Sequence, residues 1–322
     1  MTKSSTDATI TSDPLWLSDT WKGAYWKIFS MACFAGINGI VRYWSGGVDS
    51  TVDALPVNVL MFFQNIFGAL FLLPLILKAG SQSIRTNHPW LHLLRILAAV
   101  AGVYLFYLSL KVMPIAESIA LQFTAPIFTV LGAAIFLKEK IGMQQAIAIL
   151  FSLCGAFIIS RPDIPLRGGA HPIGLAALLP LSSALVLVVS KLLTRRLANE
   201  GATSTTLATY LLVFMAPASL LLALIEWKTP TIQHLPWLML LGALAAGAHW
   251  SFARAYQLAE VTFLTPFGFS KFLLSMLVGY FAFAEFPTSI SLWIGMLIIF
   301  GSIFLLGYKI SLYSWANRLR SN

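Results

Sequence analysis

The 322-residue chain is 58% hydrophobic and only 10% charged, where a water-soluble domain carries roughly 25% charged residues. With a mean hydropathy of +0.81 it has too few charges to clothe a soluble surface, which excludes soluble enzymes, nucleic-acid-binding modules and disordered chains. The net charge of +9 would suggest nucleic acid in a soluble protein, but in a membrane protein it follows from Lys and Arg retained in cytoplasmic loops.

Residues 1–22 are rich in Ser, Thr and Asp and read as a mobile cytoplasmic tail; no basic tip with a short apolar run marks a signal peptide. A helix needs about 20 mostly apolar residues to cross the hydrocarbon, and about ten such windows follow. The first, 25–44, holds Cys33 and closes on Arg42, with Asn38 on the same face; Arg42 lies near the outer boundary and reads as a mouth or interface residue. The second, 56–77, carries Gln64 and Asn65, amides that need partners in hydrocarbon. In the third, 90–110, Arg95 reads as a boundary anchor, while Tyr104 and Tyr107 are i, i+3 neighbours able to point inward together. In the fourth, 115–137, Gln122 stands near Pro126, which removes a backbone hydrogen bond and frees a carbonyl; an interhelical hydrogen bond explains Gln122 equally well. Lys138 and Glu139 end that span, and the fifth, 142–160, carries Cys154 and Gly155.

The second half repeats the count with windows at 172–193, 204–226, 236–257, 261–284 and 290–310. In the eighth, Trp250 and Arg254 share a face at i, i+4; an aromatic beside a guanidinium suits a planar ligand, while helix packing and snorkelling are the competing explanations. Lys271 lies about midway along the ninth span, some ten residues from either end, too deep to snorkel easily. Either it holds an anionic substrate group, or it pairs structurally with Glu117, Glu260 or a helix carbonyl end. Glu285 closes the ninth span as Glu139 closes the fourth, and both are read as boundary charges that cap or tether gates. The runs are continuous and not alternating, which excludes a β-barrel.

With the N-terminus inside, Lys3, Lys22, Lys27, Lys78, Arg85, Lys138, Lys140, Lys191, Arg195, Arg196, Lys309, Arg318 and Arg320 fall on the cytoplasmic side. Only Lys111, Arg161, Arg167 and Lys228 fall opposite, and Arg42, Arg95, Arg254 and Lys271 lie within spans. Thirteen against four puts both termini in the cytoplasm.

Shifted by 146 positions, Phe106 falls on Phe252, Phe123 on Phe269, Glu139 on Glu285 and Gly155 on Gly301. Because each half has five spans, the second inserts upside down, the arrangement from which many carriers build two gates around one central site. The expected units are 23–163 and 171–311, with a second cytoplasmic tail at 312–322.

The stretch from Ala116 to Glu139, AESIALQFTAPIFTVLGAAIFLKE, resembles the fourth helix of the drug/metabolite transporter superfamily, with its small-residue start, mid-helix Pro and closing Glu. Gly279–Glu285 (GYFAFAE), followed by Trp293–Gly295, is similar to the superfamily's ninth and tenth helices, and Ile159–Pro162 resembles its fifth-helix ending. The resemblance covers nearly the whole chain and fits the ten-helix EamA-type exporter group. It implies an all-α polytopic fold of ten transmembrane helices, as two inverted five-helix repeats, in a bacterial inner membrane. Two departures stand out: Gln64 where relatives often carry Arg, and the fixed charge of Lys271 in the ninth helix.

No nucleotide-binding glycine loop, His/Glu metal pair or Ser/His/Asp set is visible, so no enzyme activity, cofactor or metal is expected. The two cysteines match no redox or metal spacing and read as packing residues. The expected function is a secondary carrier of a small anionic or zwitterionic, amino-acid-like or aromatic metabolite. Lys271, Arg254, Trp250, Tyr104, Tyr107, Gln122 and Gln64 are its candidate substrate contacts, and Glu139, Glu285 and Arg42 its gating or structural charges. Relatives that import S-adenosylmethionine-like metabolites widen the choice, and a non-transporting membrane enzyme or sensor that binds a lipid or metabolite is the alternative. The partners expected are a small-molecule substrate and the lipid bilayer.

Overall fold

In hydrocarbon every backbone N–H and C=O must find its partner inside the protein, which leaves the helix as the natural form of a continuous apolar run. A computed structural model describes residues 19–47, 53–80, 86, 88–125, 127–128, 131, 143–160, 174–259, 264, 267–285 and 289–302. Among these the helices are α1 (Asp19–Trp44), α2 (Val57–Ala79), α3 (Pro89–Val112), α4 (Ile115–Gln122), α5 (Met143–Ser160), α6 (Leu178–Asn199), α7 (Ser204–Ala223), α8 (Leu235–Leu258), α9 (Ser270–Phe283) and α10 (Ile290–Ser302). Six of them (α1, α2, α3, α6, α7 and α8), α6 and α7 together with the single helical turns Gly174–Ala177 and Leu224–Glu226 beside them, provide apolar stretches of 20 residues or more, enough to cross a membrane. No strand occurs among the described residues. Both expected tails, beyond the described parts of α1 and α10, and Glu139 with its flanking residues lie outside the described residues.

Local chemistry sets the helix ends, and it is duplicated between the halves. α3 and α8 are both 24 residues long and lie 146 positions apart at start and finish. Each begins with Pro in its first turn, where the missing N–H costs nothing, and each leaves the helix through an extended residue, Met113 or Ala259. α2 and α7 each carry an internal Pro, Pro74 and Pro217.

The packing repeats as well. α1 lies on α8 as α6 lies on α3; α2 meets α7; α1 meets α9 as α6 meets α4; and α4 meets α9. Exchanging the five-helix halves leaves these pairings unchanged. The directions follow from residue contacts. Gly23 of α1 faces Ala255 and Ala259, Ser30 donates to the Ala248 carbonyl at 2.8 Å, and Gly36 faces Leu244, so α1 and α8 are antiparallel. Asn38 bonds Ser275, Gly39 faces Val278 and Arg42 bonds Glu285, so α1 and α9 are parallel.

The exterior is apolar and the polar groups face inward. Leu70, Phe71, Leu77, Leu150, Phe157, Phe281 and Leu297 are exposed, whereas Asn38, Asn58, Gln64, Asn65 and Arg95 are buried. Such amides act as ties between helices: Asn58 donates to the Leu222 carbonyl at 2.7 Å and Asn65 to the Ser219 hydroxyl at 3.3 Å, binding α2 to α7. At the end of the bundle where α1 finishes, Lys228 donates to Asp53 at 2.5 Å and His234 lies 2.8 Å from the Asp53 carbonyl oxygen. That Lys228 hydrogen bond, aided by its charge, holds the Asp53 carboxyl below its usual range.

α5 and α10 touch at a pair of glycines: a Cβ at either Gly155 or Gly295 would stand 2.6 Å from the other's carbonyl oxygen, while Gly301, which falls on Gly155 in the shift of 146, has open space around it. Overpacking a close-packed site costs about 1–3 kcal/mol. Gly295→Leu is therefore expected to lower the thermal stability of the purified protein clearly. Gly301→Leu, the control, should leave it unchanged in the same fluorescence-detected unfolding assay.

Candidate functional site

α4 and α9 are both interrupted, and at equivalent places. α4 stops at Gln122, followed by turn residues Phe123 and Thr124; a turn at Phe269 precedes α9, 146 positions later. The same local bond marks both breaks: Thr124 Oγ1 donates to the Leu121 carbonyl at 2.7 Å and Ser270 Oγ to the Phe267 carbonyl at 2.6 Å. A hydroxyl folded back on the preceding turn competes with the helical ladder. The two breaks meet: the rings of Phe123 and Phe269 lie 5.2 Å apart, and Phe300 of α10 packs on both at 5.4 and 4.3 Å. Paired broken helices at the centre of inverted repeats are where carriers bind substrate, because the freed backbone there can line a site.

Lys271 stands in the first turn of α9, directly after its break. Its ammonium donates to Gln122 Oε1 at 3.2 Å across the halves. Gln122 in turn donates to Ser183 of α6 at 3.3 Å, and Ser183 to the Gly102 carbonyl of α3 at 2.7 Å. Four helices are thus joined to one ammonium by a relay that fixes the Gln122 amide. The Lys271 nitrogen also lies 4.9 Å from the centre of the Phe106 ring and 5.7 Å from that of Phe34. Both are within cation–π reach. Since Phe34 is near the midpoint of α1, Lys271 is deep in the bundle. The interhelical hydrogen bonds expected of Gln122 are made, and at the break itself; Pro126, on which its other explanation depends, lies outside the described residues.

The remaining candidates lie elsewhere. Tyr107 donates to Gln64 Oε1, and both side chains are buried, so this pair ties α3 to α2. Tyr104 is half-buried against the core. Trp250 packs edge-on against Trp26 at 5.1 Å, and Arg254 is exposed. Exposure lets the Arg254 guanidinium reach polar surroundings, while Trp250, one turn earlier, is used in packing against α1. Arg95 departs from its reading as a boundary anchor: it is 1% exposed and donates to the Leu207 carbonyl at 2.6 Å, beside His92, which stacks on Tyr210.

Arg42 and Glu285 come together at the end of the bundle where α1 finishes. The guanidinium contacts Glu285 at 2.7 and 2.9 Å and donates to the carbonyls of Leu110 and Lys111; the other Glu285 oxygen accepts from the Ile115 backbone at 3.2 Å. One ion pair so ties the ends of α1, α3, α4 and α9.

Sequence reasoning missed Lys27, Phe34 and Ser183 as parts of this centre. Lys27 reads in the sequence only as one of the charges on the cytoplasmic side, but it is 4% exposed and its ammonium lies 3.9 Å over the Phe252 ring. The spacing of Lys27, Phe34, Asn38 and Arg42 places all four on one stripe of α1, a signal that could have been read as an inward polar face.

Residues 21–161 match the model of the EamA-like transporter family. A riboflavin transporter of Vibrio cholerae is 34% identical over 88% of this chain and 91% of its own, and one of Rhizobium johnstonii is 33% identical over 88% and 90%. An S-adenosylmethionine uptake transporter of Rickettsia bellii is 26% identical over 76% and 82%. A solved crystal structure, 17% identical, covers 90% of this chain and 98% of its own with a TM-score of 0.59, a likeness of fold. With interrupted helices in matching places and relatives along nearly its whole length, the chain belongs to the EamA-like transporter family of the drug/metabolite transporter superfamily and is a multi-pass membrane transporter of metabolites, not an enzyme.

Proposed function

We propose that the chain takes up a riboflavin-like flavin across a bacterial inner membrane by alternating access, with the breaks of α4 and α9 as its binding centre. The observation that carries this reading is the Lys271–Gln122 contact between the two breaks, in a chain whose relatives at 33–34% identity are named riboflavin transporters. A flavin is a flat, partly apolar ring system edged with carbonyls. Phe34, Phe106, Phe123, Phe269 and Phe300 supply aromatic surface around the breaks, and Lys271 and Gln122 supply donors for carbonyl oxygens. A sulfonium substrate would meet Lys271 as a like charge, which favours the flavin over S-adenosylmethionine.

In this reading the units 23–163 and 171–311 rock against one another, and both termini face the cytoplasm because Lys and Arg gather at that side. The Arg42–Glu285 pair then lies at the outer end and latches it shut. Its counterpart at the inner end would involve Glu139, which lies outside the described residues.

In sealed vesicles, radiolabelled riboflavin should accumulate, and Lys271→Met at equal expression should lower uptake at least tenfold; undiminished uptake by that variant would remove Lys271 from the centre, and accumulation of S-adenosylmethionine in place of riboflavin would reassign the substrate. Breaking one partner of a buried ion pair costs about 3–5 kcal/mol. Glu285→Ala should accordingly cut the maximal uptake rate several-fold and make residues at the outer ends of α1 and α4 more reactive toward a membrane-impermeant thiol reagent after cysteine replacement. Equal reactivity with and without the mutation would sink the latch.

A further inference from the structure

The bundle brings a second and a third ammonium to the neighbourhood of Lys271, and the flavin ring system does not call for them. Lys27 of α1 is buried over Phe252, while Lys271 faces Phe106. These two phenylalanines are repeat equivalents, so each half's third-helix ring is capped by a lysine of the other half. The two lysines are also close through the backbone. A Cβ on Gly268, three residues before Lys271, would lie 3.9 Å from Lys27 Cε. Lys191 stands two turns beyond Ser183 on α6, the helix that anchors Gln122, and is within electrostatic reach of both Lys27 and Lys271. Ser183 and Lys191 are eight positions apart, which leaves them on the same side of that helix.

Three like charges, with Lys27 buried, Lys271 half-buried and Lys191 exposed, converge there and repel one another, a cost that one delocalised ring with neutral carbonyls does little to relieve. A dianion would relieve it, since its oxygens accept from several ammonium groups at once. Resting on the flavin reading above, we propose that Lys27, Lys191 and Lys271 form an anion subsite for a phosphomonoester carried on the substrate, so that the transporter binds a flavin phosphate more tightly than the unphosphorylated flavin. The ring system would occupy the aromatic breaks and the phosphate the lysine side, toward the end at which α1 begins.

The test uses the purified full chain with three probes, riboflavin, riboflavin 5′-phosphate and inorganic phosphate, read by calorimetric titration and by competition with riboflavin uptake in vesicles. Riboflavin 5′-phosphate should bind at least tenfold more tightly than riboflavin. The ratio of the two dissociation constants should fall at least tenfold in Lys191→Met and in Lys27→Met, and recover in Lys27→Arg, which keeps the charge. Because the readout is a ratio within each folded variant, a general loss of stability does not imitate it. Riboflavin transport without binding of riboflavin 5′-phosphate would overturn the subsite and leave the flavin reading standing. Lysine-dependent binding of riboflavin 5′-phosphate without riboflavin transport would do the reverse. Inorganic phosphate that competes as well as riboflavin 5′-phosphate would overturn the claim that the anion is carried on the substrate, and binding of neither flavin would remove both proposals.

Discussion

An ammonium in the apolar interior is the constraint around which the rest of the molecule is arranged. Insertion scales put the cost of a lysine at the centre of a membrane helix at about 2.5–3.5 kcal/mol, and the interior must answer it with oriented acceptors and π faces. Lys271 receives the Gln122 carbonyl oxygen and the faces of Phe106 and Phe34. Gln122 can offer that oxygen steadily because its amide nitrogen is bound to Ser183, itself fixed to the Gly102 carbonyl. The chain of dependence runs from one charge on α9 through α4 and α6 to α3, so it links the two halves at their centre.

The duplicated architecture explains why such a centre exists. Two interrupted helices lie next to each other because they occupy equivalent places in the two halves, and their meeting point holds Phe123 and Phe269 ring to ring. Around that point the helices cross by close approach of small residues, as at Gly155 and Gly295, since apolar side chains gain little from one another when lipid is the alternative. Away from the centre, the Arg42–Glu285 pair gathers four helix ends at one face of the bundle. Parallel packing of α1 on α9 joins the two places: one stripe of α1 runs from Lys27 past Phe34 and Asn38 to Arg42, a rise of about 22 Å at 1.5 Å per residue.

The segments, their helical form and the exclusion of soluble chemistry were legible in the sequence because they depend on local quantities: apolar run length, turn residues and the position of prolines. The depth of Lys271 was legible for the same reason. The two-half organisation could be seen at Phe123 and Phe269, where the shift of 146 brings the two helix breaks into register, whereas the close approach of Gly155 to Gly295 could not be read from any shift, because a repeat says which residues correspond and not which ones touch.

What tertiary structure alone decided is which polar residues share a place. Lys27 and Arg42 both look like end charges in one dimension, yet one lies buried over an aromatic ring of α8 and the other reaches Glu285, 243 positions away. Trp250 and Arg254 share a helix face by spacing, but the neighbouring Trp26 takes up the indole and the arginine is exposed. Helical periodicity assigns a residue to a face; the neighbours that approach that face come from distant parts of the chain, and their approach is set by packing, which no local pattern encodes.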